Sequence, residues 1–331
     1  MAVHRSVLGL GLIEESERFV ADLLAKPAVP IYRRDVQSYR EATLQAGRAT
    51  ARADVAVTQR SVSTGGRTVG IRQFLPSEGP RAGYLYFHGG GWVFGSASML
   101  DAELAELCHE LGIAIFSVDY RLAPEHPFPA ALEDAETAAL WLIHEGRGEL
   151  GLGRVAIGGA SAGAHLAAVA LQRLAAVGEQ DAFCAANLDY GIFDLSMTPS
   201  QRRGADTPRL TRADLEWYYD KVMPGSDAEG RRAPAVSPLY GDLGGMPPAR
   251  FTVGTLDPLL DDSTFMAERW SAAGSAATLE IYAAATHGFS RQQSGLGALA
   301  TQREAAFLAP HLGTTIDVRR TPTQQQEVSS R

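Results

Sequence analysis

The sequence predicts an α/β fold: a mostly parallel, eight-stranded sheet flanked by helices and carrying a helical cap. Three observations predict it. Short apolar strands alternate with helices from residue 113 onward, the pattern of a parallel sheet covered on both faces. The segment Gly159-Ala160-Ser161-Ala162-Gly163 joins an apolar strand directly to an Ala- and Leu-rich helix. Residues 195–247, rich in Pro, Arg, Asp and Gly, interrupt the alternation with an insertion too large to be an idle loop.

The elements follow in order. Residues 14–25 and 36–50 read as two amphipathic helices separated by Pro27 and Pro30. Residues 54–60 and 69–75 alternate like the strands of a hairpin, with a turn at Thr64-Gly65-Gly66. Further strands are expected at 82–87, 113–118, 155–158, 188–192, 250–253 and 278–282. Helices are expected at 129–144, 164–176, 263–273 and 298–308, with one more around 214–222 inside the insertion. The chain therefore divides into N-terminal cap helices (1–50), a first part of the core (51–194), a cap insertion (195–247), a second part of the core (248–313) and a polar tail (314–331) expected to be disordered.

A chain of 331 residues with 45 % hydrophobic and 21 % charged residues can bury such a core without disulfides or metal staples. Its net charge of −8 disfavours nucleic acid and stable association with an anionic membrane. No stretch approaches the roughly 18 apolar residues of a membrane span, and Val7–Ile13 is too short and too glycine-diluted for a secretory signal. A cytoplasmic protein is expected. Cys108 and Cys184 read as two buried free thiols, without metal-site spacing.

Ser161 is the candidate nucleophile. A sharp strand-to-helix turn at the serine leaves no room for side chains two residues to either side, and Gly159 and Gly163 meet that need. The turn lifts the hydroxyl clear of the sheet, at a helix N-terminus that favours negative charge. The alternative is a glycine-rich turn with a capping serine. His88-Gly89-Gly90-Gly91-Trp92 follows a strand, and consecutive glycines are entropically costly unless backbone amides must approach a ligand closely. Gly89 and Gly90, with the amide of Ala162, are the candidate oxyanion donors. A P-loop is excluded because no Lys follows at its spacing, and His88 is read as orienting the glycine loop.

Of eight histidines, only His287 and His311 follow a candidate acid in the order Ser, acid, His. His287 lies just beyond the last strand, and His311 is read as a surface residue. The candidate acids are Asp257, Asp261 and Asp262. Asp257 sits in the loop past a strand end, and the other two read as caps of the following helix. Trp92, Phe94, Leu210, Trp217, Tyr218 and Phe289 are candidate pocket residues, with core packing an equal reading for Trp217 and Tyr218.

Taken together these motifs resemble the hormone-sensitive-lipase-like (bacterial family IV) carboxylesterases of the α/β-hydrolase superfamily. The resemblance rests on His88–Gly91, Asp119–Ala130, Gly159–Gly163, Gly254–Leu259 and His287-Gly288-Phe289. It implies an α/β-hydrolase fold, a Ser161/Asp257/His287 triad, no cofactor and no metal, and it allows a homodimer. The implied substrate is a small-molecule carboxylic ester, cleaved through an acyl-enzyme, and the mixed aromatic and small composition of the candidate pocket residues fits short to medium acyl chains. Amide, lactone or acyl-transfer chemistry would use the same triad, and a non-catalytic small-molecule receptor is the reading from another class. Two positions depart from the family pattern: Ala160 replaces the usual acidic residue or Thr, and Ala164 the usual Gly.

Overall fold

The computed structural model describes residues 2–25, 29–46, 52–204 and 207–316. The expectations for 47–50 and for most of the polar tail lie outside these residues. The core is a nine-stranded sheet in the order β1-β9-β8-β7-β6-β4-β5-β3-β2. Its strands are β1 (His4–Leu8), β2 (Val55–Thr64), β3 (Arg67–Pro76), β4 (Ala82–Phe87), β5 (Ala114–Asp119), β6 (Arg154–Ala160), β7 (Ala186–Asp189), β8 (Ala249–Gly254) and β9 (Ala277–Tyr282). The pairings β2–β3 and β3–β5 are antiparallel and every other one is parallel.

The expected eight strands are present, and the ninth is β1. The N-terminal segment is thus not cap helices alone. His4–Leu8 runs parallel to β9, with His4 opposite Thr278 and Leu8 opposite Tyr282. A short stretch with exposed Val7 has no strand signature of its own; the open edge of β9 supplies the hydrogen bonds. β7 ends at Asp189, earlier than expected, because Tyr190 takes a positive φ of 38° that breaks the extended backbone.

All six residues of β4 are buried, as period two requires in a sheet covered on both faces. Leu85 and Phe87 join one cluster with the helices Ala130–Trp141 and Ala162–Ala176. Tyr84 and Tyr86 join the other with the helices Asp101–Leu111 and Gly295–Leu312. That second face also buries charge. Arg250 lies 3.3 Å from Asp189 and 2.8 Å from Glu280, and its Nη1 donates to Asn187 at 2.9 Å. Buried ions persist only when paired and hydrogen-bonded in this way.

The N-terminal helices are Ile13–Ala25 and Val36–Ala46, and the insertion holds the helices Pro199–Arg203, Arg212–Val222 and Ala228–Arg231. The two regions touch where Ile31 N donates to Asp214 Oδ1 at 3.2 Å. Arg40 reaches the loop below, donating to Val93 O at 2.8 Å and to Ala123 O at 2.7 Å. Among the described residues no helix is long and apolar enough to cross a membrane. Both cysteines are free; Cys108 is buried as expected, whereas Cys184 is only half-buried.

Candidate active site

Strand ends bring the candidate residues together. Ser161 follows β6 and precedes the helix Ala162–Ala176, with φ 57° and ψ −119°, a conformation an L-residue adopts only under strain. The flanking glycines explain how the chain tolerates it. A Cβ on Gly163 would overlap the carbonyls of Phe87 and His88, and one on Gly159 would overlap Phe87 O and the backbone of Gly163.

β8 and β9 deliver the other two side chains. Leu256 N donates to Ala285 O at 2.9 Å and Ala284 N to Thr255 Oγ1 at 2.9 Å, which ties the loop of Asp257 to the loop of His287. His287 Nδ1 donates to Asp257 Oδ2 at 2.9 Å, and its Nε2 lies 2.9 Å from Ser161 Oγ. With Nδ1 protonated, Nε2 of neutral His287 is the acceptor for the serine hydroxyl. The second oxygen of Asp257 accepts Leu259 N at 2.9 Å. Asp257 is fully buried, and Tyr190 meets the His287 ring edge-on at 5.0 Å. This hydrogen-bonded chain can take a proton from Ser161 and hold the resulting imidazolium.

Asp261 and Asp262 do not cap the next helix, which begins at Leu260 with no side-chain cap. They hold residues 193–201 instead. Asp262 accepts from the amides of Phe193 and Asp194, from Gln201 Nε2 and from Thr198 Oγ1, while burial pushes its carboxyl up to about 7. Asp261 accepts Ser200 N at 2.7 Å.

The glycine loop lies over Ser161. A Cβ on Gly89 would come within 3.0 Å of Ala160 O and 3.5 Å of Ser161 Cβ. Gly90 has φ 121° and a Cβ there would overlap Phe94 O, so the turn requires glycine. His88 is buried beneath the loop as a strut: its Nδ1–H donates to Gly89 O at 2.8 Å and its ring stacks on Tyr120 at 4.2 Å. Tyr120 OH donates to His88 O at 2.8 Å and Ala123 N to Trp92 O at 2.9 Å, so the 119–129 segment holds the loop in place.

The cavity over Ser161 has a volume of about 240 Å³. Gly89, Gly90, Ala160, Ser161 and His287 line it, together with Leu210 and Tyr218 from the insertion. The other four aromatic candidates are not in the lining. Trp92 is fully buried, with its Nε1–H donating to His165 Nδ1 at 3.2 Å. Phe94 stacks on Trp217 at 5.9 Å, and Phe289 packs against Tyr282 at 4.6 Å. Their size and hydrophobicity suit a pocket and a core equally; only the direction of each side chain decides. Sequence reasoning missed Ile31, Leu215, Ile192, Arg209 and Arg291 in the lining. Nothing in their local pattern marks them, since tertiary packing decides which side chains turn into the cavity.

A profile of the alpha/beta hydrolase fold family matches residues 84–291. The chain is 34 % identical over 268 residues to a carboxylic ester hydrolase of Mycobacterium tuberculosis, covering 78 % of this chain and 71 % of that one. It is 33 % identical over 251 residues to an ethyl acetate hydrolase of Pseudomonas putida, covering 73 % and 76 %. Among solved structures, an esterase of Pyrobaculum calidifontis superposes with a TM-score of 0.77 at 29 % identity, covering 87 % of this chain and 96 % of that one. A thermostable carboxylesterase from a metagenomic library superposes at 0.75 and 30 % identity, covering 84 % and 98 %.

Proposed function

The chain belongs to the α/β-hydrolase family, in its hormone-sensitive-lipase-like group, and on that premise we propose that it cleaves carboxylic esters of short to medium acyl chain through a Ser161 acyl-enzyme. The observation that carries the reading is the unbroken relay from Ser161 Oγ to His287 and on to Asp257, with both links at 2.9 Å. His287 takes the proton of Ser161 as the oxygen attacks the ester carbonyl. The amides of Gly89, Gly90 and Ala162 receive the negative oxygen of the tetrahedral intermediate. His287 then gives its proton to the leaving alcohol. Water, activated by the same imidazole, hydrolyses the acyl-enzyme and restores the serine. Asp257 holds the imidazole in the tautomer that presents Nε2 to the serine. The N-terminal helices and the insertion act as a cap that shapes the acyl and alcohol sites. A cavity of about 240 Å³ is smaller than the ~300–1,000 Å³ of sites for drug-sized ligands, which supports small esters.

A p-nitrophenyl ester series of increasing acyl length, run beside Ser161→Ala, tests the reading. Short and medium esters are expected to turn over, with the variant losing at least about 10³-fold in kcat. Turnover preserved in purified Ser161→Ala would overturn the assignment of the nucleophile. Preference for anilides or lactones over esters would overturn the reaction class.

A further inference from the structure

The catalytic cavity carries charge of one sign. Its ionisable lining side chains apart from Tyr190 and Tyr218 are His287, Arg209 and Arg291, with no carboxylate among the described lining residues. Ala160, beside the nucleophile, contributes only a methyl group to that wall. Arg209 is an exposed residue next to Leu210. Arg291 is of another kind: its side chain is 14 % exposed and leads from the cavity into the buried face of the sheet.

The contacts of Arg291 are unevenly distributed. Tyr86 Oη at 3.5 Å, Glu304 Oε2 at 3.3 Å and Asp189 Oδ2 at 3.7 Å all meet the same nitrogen, Nη2. The guanidinium also lies 5.7 Å over the Tyr86 ring. A guanidinium has five N–H donors in a rigid fork. Nε is buried without an acceptor, and among the described residues Nη1 meets none either. Both anions beside Nη2 are shared or weakened. Asp189 also lies 3.3 Å from Arg250, and burial pushes the Glu304 carboxyl up. Nη2 is thus clamped, Nε is closed off, and Nη1 is left as the nitrogen with N–H groups to give, beside a reacting centre, where a donor without an acceptor is costly.

We propose that Arg291 is a specificity residue that binds a substrate carboxylate, so that the enzyme prefers esters bearing a carboxylate a few carbons from the scissile bond. The proposal rests on the ester-hydrolase reading and deepens it. The carboxylate accepts from Nη1 of the guanidinium, Arg209 adds a second positive charge near the bound anion, and the apolar lining accommodates the intervening methylenes.

The test compares matched esters by pH-stat. On the acyl side the pair is monoethyl glutarate and ethyl pentanoate; on the alcohol side it is 4-acetoxybutanoate and butyl acetate. The anionic member of one pair is expected to have a kcat/KM roughly 10- to 100-fold above its neutral partner, the factor a charge-assisted hydrogen bond carries. In Arg291→Met that ratio is expected to fall towards one. Glutarate is likewise expected to inhibit the wild-type enzyme at lower concentration than pentanoate does, a measurement that needs no folded variant. Neutral esters favoured in both pairs, or a preference that survives Arg291→Met and vanishes in Arg209→Ala, would overturn the proposal. Failure to hydrolyse any of the four would instead overturn the ester-hydrolase reading.

Discussion

At the strand ends, Ser161, Asp257, His287 and Gly89 are held by groups close to them in the chain or in the sheet. Gly159 and Gly163 permit the turn, Leu259 N anchors Asp257, and Ala285 O ties two loops together. Over them, Ile31, Leu210, Leu215 and Tyr218 line the same cavity from two segments that lie far from each other in sequence. The floor depends on hydrogen-bond geometry that tolerates little movement. The roof depends on apolar bulk, which changes in steps of a methylene. The proposed function assigns the chemistry to the first region and the choice of acyl length to the second.

The largest effect should come from breaking the floor. Asp257→Asn keeps the size of the side chain but favours the wrong histidine tautomer, and kcat is expected to fall about 10⁴-fold with little change in KM. Steady-state kinetics on a short p-nitrophenyl ester measures it. A loss under tenfold would mean that the floor is as forgiving as the roof.

A smaller effect tests the joint between the two regions. His165 accepts from Trp92 Nε1 beneath the glycine loop and donates Nε2–H to Val236 O of the insertion at 2.8 Å. Burial pushes its imidazole down to about 4. Protonation would set an N–H against the indole N–H. The folded state therefore binds fewer protons than the unfolded state between about pH 6.5 and 4. The resulting stabilisation is present above about pH 6.5 and is lost as the pH falls through that window, amounting to about 3 kcal/mol. Urea unfolding at stepped pH should show this loss in the wild type and a shallower one in His165→Gln. Equal slopes would remove His165 as the acid-sensitive link.

The smallest effect belongs to the roof. Leu210→Ala enlarges the cavity and should shift preference towards longer acyl chains by about 10-fold in relative kcat/KM, with Ser161 still labelled by a fluorophosphonate. An unchanged chain-length profile would show that the insertion does not select the substrate.

Where the structure brings the expected residues together, the cause is local. The elbow and the glycine loop are legible because a strained turn demands glycine at particular offsets. Asp257 and His287 are legible because strand ends present side chains to a common edge. Asp261 and Asp262 were misread as helix caps because their partners, residues 193–201, lie about sixty positions away. Trp92, Phe94 and Phe289 were misdirected, and Trp217 was left open between pocket and core, for the same reason: an aromatic residue carries no local mark of the face it buries.

By itself the sequence determined the α/β alternation, the strand–turn–helix around Ser161, the glycine loop, and the order of serine, acid and histidine. These follow from backbone sterics and hydrophobic periodicity, which act over a few residues. The tertiary structure alone decided that β1 closes the edge of β9, that Arg291 reaches the cavity from a buried ion cluster, and which apolar side chains form the roof. Those outcomes rest on contacts between distant segments, where packing and charge pairing, not local propensity, determine the energy.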